Sequence, residues 1–310
     1  MPNEPLLAED VRKVYAPRRG PRIDALNGVS MSVHRGERVA LLGRNGAGKT
    51  TFLKIAATLL APTSGRVEVF GHDVGRAADL VRPEIAVVPQ EGKPFFHLTP
   101  REQVYTYLRS RGMSREVAHD RGERALAAME LAEVADRLAI TLSGGQKQRT
   151  MVATVIATGA PLLFLDEPTI GMDPFARRGV WQSLRDLTRE GSTILLTTHY
   201  LDEAEALADR LYIVERGRVL VEGTAATLKQ EVGGTLRVTV PQGARLTETL
   251  RTFGRVVPDG DTVHVIVDPG RLTEILGIAV RERLTATVGP VTLEEAFLRV
   301  VGRSIDDEAG

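Results

Sequence analysis

The stretch at residues 37–60, ERVALLGRNGAGKTTFLKIAATLL, decides the fold. Residues 39–42 are an apolar run of strand length, and residues 49–60 carry a helical pattern. Between them lies Gly43-Arg44-Asn45-Gly46-Ala47-Gly48-Lys49-Thr50, which fits G-x-x-x-x-G-K-[ST]. The spacing follows from what a phosphate needs. Glycines let the backbone curl so that successive N–H groups point inward at phosphate oxygens. A helix beginning at Lys49 aims its positive dipole end at the same point. Lys49 reaches the β- and γ-phosphates, the Thr50 hydroxyl is placed to ligate Mg²⁺, and Thr51 adds a second hydroxyl. The strand before and the helix after separate this motif from a chance glycine-rich turn.

The chain has 310 residues, room for one large domain and a small one, or for two domains. Hydrophobic residues make up 43% of it, enough to build a core. Forty basic side chains balance forty acidic ones, which argues against nucleic acid as a general partner. There is no cysteine, so disulfides and thiolate metal sites are excluded and a reducing, cytoplasmic setting is the natural reading. No apolar run approaches the ~20 residues of a membrane helix. The N-terminal MPNEPLLAED is acidic and lacks the core of a signal peptide.

Residues 5–15 read as an edge strand leading to Tyr15, whose ring is either half-buried on its strand or a stacking face for adenine. Residues 16–21, APRRGP, form a basic, turn-rich insertion, and residues 25–33 alternate as a strand. Residues 66–70 and 85–89 are short strands, the second ending at Gln90. Thr99-Pro100-Arg101-Glu102 is a capping box with proline at the first helical position, and residues 115–131 form a second helix. Leu142-Ser143-Gly144-Gly145-Gln146 repeats the capping-box pattern. A serine hydroxyl and glycine N–H groups at a helix N-terminus also bind an anion, so this stretch reads either way.

The run at residues 162–165, Leu-Leu-Phe-Leu, suits a parallel sheet covered on both faces, and it ends in Asp166-Glu167-Pro168. Two carboxylates at a strand end beside a phosphate site suggest one metal role and one base role. A strand at residues 192–197 ends in Thr198-His199. Ligands of open α/β sheets gather at the carboxyl ends of strands, so Gln90, Asp166 and His199 are expected to converge. Composition shifts at Gly233-Gly234. Beyond it, strand 235–240, helix 245–253, strands 255–257 and 262–267, helix 270–282 and strand 284–288 give the split-βαβ order. A helix at 292–301 and a frayed tail from 304 to 310 follow.

The phosphate loop, Gln90, Leu-Ser-Gly-Gly-Gln at 142–146, the strand ending Asp166-Glu167, Gly171-Met172-Asp173 and His199 resemble, in order and spacing, the ATP-binding-cassette (ABC) ATPases. The C-terminal Thr292-Leu293-Glu294-Glu295-Ala296-Phe297-Leu298 resembles the accessory domain of bacterial drug- and antibiotic-exporter ATPases. The resemblance implies an α/β fold. Its P-loop NTPase core spans residues 5–230, with a helical subdomain at about 99–160, and a small C-terminal α+β domain spans 235–302. It implies that Tyr15 stacks on adenine, that Gly43, Arg44, Asn45, Gly46, Ala47, Gly48, Lys49, Thr50 and Thr51 hold the phosphates of ATP, and that Thr50, Gln90 and Asp166 serve Mg²⁺. Glu167 would polarise the attacking water, Gln90 would sense it, and His199 would bond the γ-phosphate. Ser143, Gly144, Gly145 and Gln146 would cover the nucleotide of a partner subunit, and Asp173 would bridge the two subunits.

Three stretches depart from the family pattern. Met172 stands where leucine is usual, the helix after the signature lacks an arginine-alanine stretch, and the loop after Gln90 reads Glu-Gly-Lys-Pro-Phe-Phe-His. Phe95 and Phe96 in that loop either pack within their own helical block or dock on a membrane subunit. If the signature completes a partner's site, a chain with one phosphate loop and one signature must pair, as a homodimer or with a homologous chain. The reading is an ATPase subunit, peripheral on the inner face of the cell membrane. It would drive export of a drug, antibiotic, lipid or other small molecule through separate multi-span permease subunits. The rivals are an importer's ATPase, a soluble ABC ATPase of DNA repair or translation, and a nucleotide-binding regulator without turnover. Glu167 and His199 stand against the last of these.

Overall fold

Two strand patterns produce the two sheets of the first 223 residues in the computed structural model, which describes residues 4–16, 20–232, 234–241 and 244–309. The apolar runs Arg38–Leu42, Leu162–Asp166 and Thr193–Thr198 are almost wholly buried and pair in parallel. They form the middle of a six-stranded sheet in the order Arg218–Gly223, Arg210–Glu215, Arg38–Leu42, Thr193–Thr198, Leu162–Asp166, Ile85–Val88. The first two of these strands are joined through Arg216 and Gly217, with φ of 48° and 73°. Positive φ at both positions is the backbone of a type I′ hairpin turn.

Strands of alternating pattern make an antiparallel sheet in the order Ile23–Val33, Leu6–Tyr15, Ser64–Val69, His72–Asp73. Here the sequence reading is corrected: Leu6–Tyr15 is no edge strand. It pairs with Ile23–Val33 on one side and Ser64–Val69 on the other, and its Leu6, Ala8 and Val11 are buried. The second partner arrives from far along the chain, and no local pattern announces it.

The helix after the phosphate loop runs Lys49–Ala56 and stops short of residue 60. Thr58 takes a left-handed φ of 62°, its N–H bonds Ile55 O, and Leu59 N–H bonds Lys54 O. That pair of bonds is a Schellman close. The helix lies between the two sheets. Phe52, Leu53 and Ile55 share one buried cluster with Val67 and Val69 of the antiparallel sheet and with Phe164 and Leu195 of the parallel one. Burying each such side chain contributes about 1.5–3 kcal/mol, so the helix and the loop before it are firmly seated.

The helical block begins at Pro100–Ser110, where Thr99 Oγ1 accepts from Glu102 N–H at 3.2 Å and the Glu102 carboxylate accepts from Thr99 N–H at 2.9 Å. Both bonds of the expected capping box are made. Arg115–Ala128 and Gly144–Ile156 complete the block. Arg115–Ala128 ends before residue 131 because Glu130 turns left-handed, with φ of 53°.

The chain divides into two compact units at residues 222 and 223, ahead of the composition shift. Gly233 of that shift and residues 17–19 of the basic insertion lie outside the described residues. The second unit carries a four-stranded antiparallel sheet in the order Arg255–Asp259, Thr262–Val267, Leu236–Pro241, Thr287–Pro290. With helices Ala244–Leu250 and Leu272–Arg281 this is the split-βαβ arrangement, its first and third strands at the centre. Val238, Val240, Val263, Val265 and Ile275 form its core. Helix Leu293–Ala309 continues through the stretch read as frayed, because residues 304–309 contain no helix breaker.

Candidate functional site

The phosphate loop is shaped by close approach. A Cβ on Gly43 would sit 2.3 Å from Val214 O, and one on Gly48 would sit 2.5 Å from Ala25 O at a φ of 106° that side chains avoid. Glycine is therefore the residue that fits at both places. Lys49 opens the helix almost fully buried, and its Nζ donates to Gly43 O at 2.7 Å and to Arg44 O at 3.1 Å. The ammonium thus lies inside the curl of backbone that its motif builds. Burial lowers the Lys49 pKa, and the carboxylates Glu167, Asp166 and Glu215 work against that shift.

Thr50, Gln90 and Asp166 come together at the carboxyl ends of the strands. Thr50 Oγ1 donates to Asp166 Oδ1 at 3.0 Å and lies 3.4 Å from Gln90 Oε1. The Thr197 hydroxyl also donates to Asp166 Oδ1. Asp166 Oδ2 is buried and has no hydrogen-bond partner. Burial raises the Asp166 pKa, and the two threonine hydroxyls oppose it. An orphaned carboxylate oxygen, a hydroxyl and an amide oxygen fit a Mg²⁺ ion, a hard cation that takes one or two carboxylates with substrate phosphates. Among the described residues no cluster of three or more His, Cys, Asp or Glu offers another metal site.

Glu167 follows directly, 4% exposed, with a left-handed φ of 50° that a non-glycine residue adopts only when held. Its N–H is shared between Thr197 O and Thr197 Oγ1, each at 3.1 Å. His199 Nδ1 lies 3.1 Å from Glu167 Oε1, though without the alignment of a hydrogen bond. A carboxylate and an imidazole therefore stand side by side over the phosphate loop.

Of these side chains, Lys49, Thr50, Gln90 and Glu167 line a cleft of about 460 Å³, together with Asn45, Gly46, Ala47, Gly48, Thr51 and Tyr15. Tyr15 is 39% exposed, and Lys13 Nζ lies 5.4 Å from the centre of its ring. Ile23, Asp24 and Ala25 line the same cleft, and the sequence reading missed them. Ile23 is paired directly across from Tyr15, and that register is the only signal for it. Thr197 was also missed; two threonines after an apolar run were the available hint.

Ser143, Gly144, Gly145 and Gln146 are not in this cleft. They open the helix Gly144–Ile156, with Ser143 Oγ accepting from Gln146 N–H at 3.2 Å and Gln146 Oε1 accepting from Ser143 N–H at 2.9 Å. Ser143 and Gly144 are exposed, and a Cβ on Gly144 would meet nothing within 4 Å. Asp173 is likewise outside the cleft, capping the helix Pro174–Arg189 through bonds from Phe175 N–H and Ala176 N–H. The Ala176 bond chiefly holds its carboxyl below the usual range. The chain thus presents two separate halves: a cleft around the phosphate loop, and an exposed helix N-terminus.

The chain matches the family profile described as "ABC transporter" over residues 26–170. It is 37% identical over 299 residues to the daunorubicin/doxorubicin resistance ATP-binding protein DrrA of Streptomyces peucetius, covering 92% of this chain and 90% of that protein. The Nod factor export ATP-binding protein I of Burkholderia lata is 37% identical over 317 residues, covering 99% of this chain and 100% of that protein. Among solved structures, a dimeric ATP-binding cassette in a post-hydrolysis state, bound to ADP and Pi, matches with a TM-score of 0.66 at 29% identity. That match covers 71% of this chain and 98% of the other.

The buried Asp166 makes the metal-free chain sensitive to pH. A carboxyl whose native pKa is raised stabilises the fold below its unfolded pKa of about 4 and loses that contribution as pH rises through the native value. Asp166→Asn should therefore raise the metal-free melting temperature at pH 7 by ~2–4 °C, a gain that shrinks as pH falls toward ~4. Thermal unfolding across pH measures this, and an Asp166→Asn chain that melts lower at pH 7 would contradict it.

Proposed function

We propose that this chain, which belongs to the ABC transporter family as one of its ATPases, powers export of a drug, antibiotic, lipid or other small molecule through separate membrane subunits. The observation that carries the chemistry is the meeting of Lys49, Thr50, Gln90, Asp166, Glu167 and His199 at the carboxyl ends of parallel strands. The direction of transport rests on the relatives named for drug resistance and Nod factor export. The Nod factor relative aligns through the C-terminal unit, which supports reading residues 235–302 as an accessory domain beside a nucleotide-binding domain at 5–230. No helix among the described residues is long and apolar enough to cross a membrane, so the passage is assigned to multi-span permease chains. This chain is assigned to the cytoplasmic face of the cell membrane.

ATP enters with its adenine against Tyr15 and its phosphates against the N–H groups of the loop. Lys49 then exchanges the Gly43 and Arg44 carbonyls for β- and γ-phosphate oxygens. Thr50, Gln90 and Asp166 would hold Mg²⁺, whose charge, when bound, offsets that of the phosphates. Glu167 polarises the attacking water, and His199 beside it bonds the γ-phosphate. Phosphoryl transfer to water is chiefly positioning and charge stabilisation, so none of these groups needs covalent chemistry. A two-fold homodimer sets the exposed Ser143–Gln146 turn of each chain on the cleft of the other and makes two identical sites, with Asp173 bridging between them. The dimeric cassette among the solved structures supports that pairing.

The loop after Gln90 is the contact proposed for the membrane subunit. Phe95 and Phe96 are 70% and 49% exposed, so they do not pack inside their own helical block. Leu138 and Ile140 are exposed too, and the two loops are joined by Ile140 N–H to Phe96 O at 3.3 Å and Ala139 N–H to Leu98 O at 2.9 Å. Four exposed apolar side chains on two hydrogen-bonded loops suit a cytoplasmic helix of a permease.

Glu167→Gln should keep ATP binding, slow turnover by about 10²–10⁴-fold and accumulate an ATP-bound dimer on size exclusion. A rate near wild type would remove Glu167 from its role. Mixing a Lys49→Ala chain with a Ser143→Arg chain, each inactive alone, should restore ATP-dependent closure, because some heterodimers carry one intact site. A Ser143→Arg homodimer that closes as tightly as wild type would contradict the shared site. Phe95→Ala with Phe96→Ala should leave basal ATPase and melting temperature intact and weaken co-purification with the permease, an aromatic anchor being worth ~2 kcal/mol or more. Unchanged co-purification and transport would rule the anchor out.

A further inference from the structure

Glu203 is a carboxyl with no exposed surface, four residues after His199 on the helix Leu201–Leu207. Its Oε1 accepts the Thr169 hydroxyl at 2.7 Å and the Trp181 indole N–H at 3.1 Å, and its Oε2 has no hydrogen-bond partner. Thr169 stands two residues after Glu167 and opens the loop that ends at Asp173; Met172 N–H bonds Thr169 O at 3.2 Å. Trp181 lies on the helix Pro174–Arg189 that Asp173 caps. One buried carboxyl therefore ties the start of the loop that carries Asp173 to the helix that follows it. An apolar side chain of the same volume would fill this space without the cost of an unpaired oxygen, so packing alone does not explain a glutamate here.

A second link runs beside the first. Arg177 Nε donates to Met172 O at 3.4 Å, its guanidinium lies 4.4 Å from the centre of the Tyr200 ring, and its Nη1 is 3.6 Å from Asp202 Oδ2. The Tyr200 ring in turn lies 4.1 Å from the His199 ring. From the carbonyl of Met172 to the imidazole of His199 the contact is continuous. A guanidinium stacked on an aromatic face is held more firmly than a surface ion pair.

We propose that Glu203 and Arg177 are positioning residues that lock the loop at residues 169–173 to His199, so that contact made across the dimer at Asp173 and placement of His199 against the γ-phosphate are one event. Neither residue lines the nucleotide cleft; each acts through another. The proposal rests on the ATPase reading above and adds the device by which the partner subunit licenses hydrolysis. Coupling of this kind is carried by a packed element with two arrangements that both sites bias.

The test is a double-mutant cycle on the full chain. The readout is the ATP concentration giving half-maximal dimer closure in a Glu167→Gln background, where no turnover is needed. Arg177→Ala should raise that concentration about tenfold and leave the ATP affinity of the undimerised chain unchanged. In a Glu167→Gln, His199→Ala background the same substitution should cost nothing further, because nothing remains to be positioned. Glu203→Ala should behave like Arg177→Ala, and Glu203→Gln, which keeps the Oε1 acceptor and the shape, should recover most of the closure. Far-UV circular dichroism and the melting temperature check that each variant is folded. Wild-type closure for Arg177→Ala, or costs that add in full when His199 is absent, would overturn the latch. A wild-type chain that hydrolyses no ATP would overturn the ATPase reading instead.

Discussion

The bond from Thr50 Oγ1 to Asp166 Oδ1, 3.0 Å long, joins the phosphate loop to the strand that carries both carboxylates. Thr197 reaches the same oxygen from the strand between them. Three parallel strands thus meet at one buried carboxylate, and around it the fold holds two kinds of charge out of water. Lys49 is buried against carbonyls, and Asp166 is buried with one oxygen unmatched. Such groups are costly without a partner, and the surrounding core is what keeps them there. The helix Lys49–Ala56, packed between two sheets by Phe52, Leu53 and Ile55, supplies much of that hold. A site organised this way gains most from a ligand that brings phosphate to the lysine and a cation to the aspartate.

What the sequence revealed and what it concealed divide along a physical line. Motifs whose bonds run between residues a few apart were legible. Both capping boxes form as read, at Thr99 with Glu102 and at Ser143 with Gln146, because the partners are fixed by one helical turn. The phosphate loop was legible for the same reason, and the split-βαβ order of the second unit followed from alternation of short elements. Pairings between distant segments were not legible. Leu6–Tyr15 reads as an edge strand until Ser64–Val69 arrives beside it, and Ile23 gains meaning only by lying across from Tyr15. The early end of the first helix depends on a left-handed Thr58, a conformation with no strong sequence signature for threonine.

The site itself shows the same division. Lys49, Thr50, Gln90, Asp166, Glu167 and His199 were readable because strand ends in a parallel sheet face one edge. Thr197, Thr169, Trp181 and Glu203 were not, since each matters only through the residue it touches. Glu203 in particular reads as one more acidic residue in Leu-Asp-Glu-Ala-Glu, a helical stretch with every appearance of a solvated face. Burial alone sets it apart from its neighbour Glu205.

The edge that gathers the chemistry also sends out the loops that lead away from it. Gln90 leads into the exposed Phe95 and Phe96, and Glu167 leads through Thr169 to the exposed cap at Asp173. The two routes differ in stiffness. The first is a loop held at Phe95 N–H by the Gln103 side chain at 3.2 Å, with both phenylalanine rings exposed. The second is short and internally bonded: Ile170 N–H to Glu167 O and Met172 N–H to Thr169 O, each at 3.2 Å, with Glu167 itself in a left-handed conformation. A strained residue persists only where its surroundings over-determine it. Displacing Asp173 therefore acts on Glu167 through a stiff lever, whereas displacing Phe95 acts on Gln90 through a softer one. If Asp173 meets a partner ATPase chain and Phe95 a permease, as proposed above, the first contact would be felt sharply and the second with more tolerance.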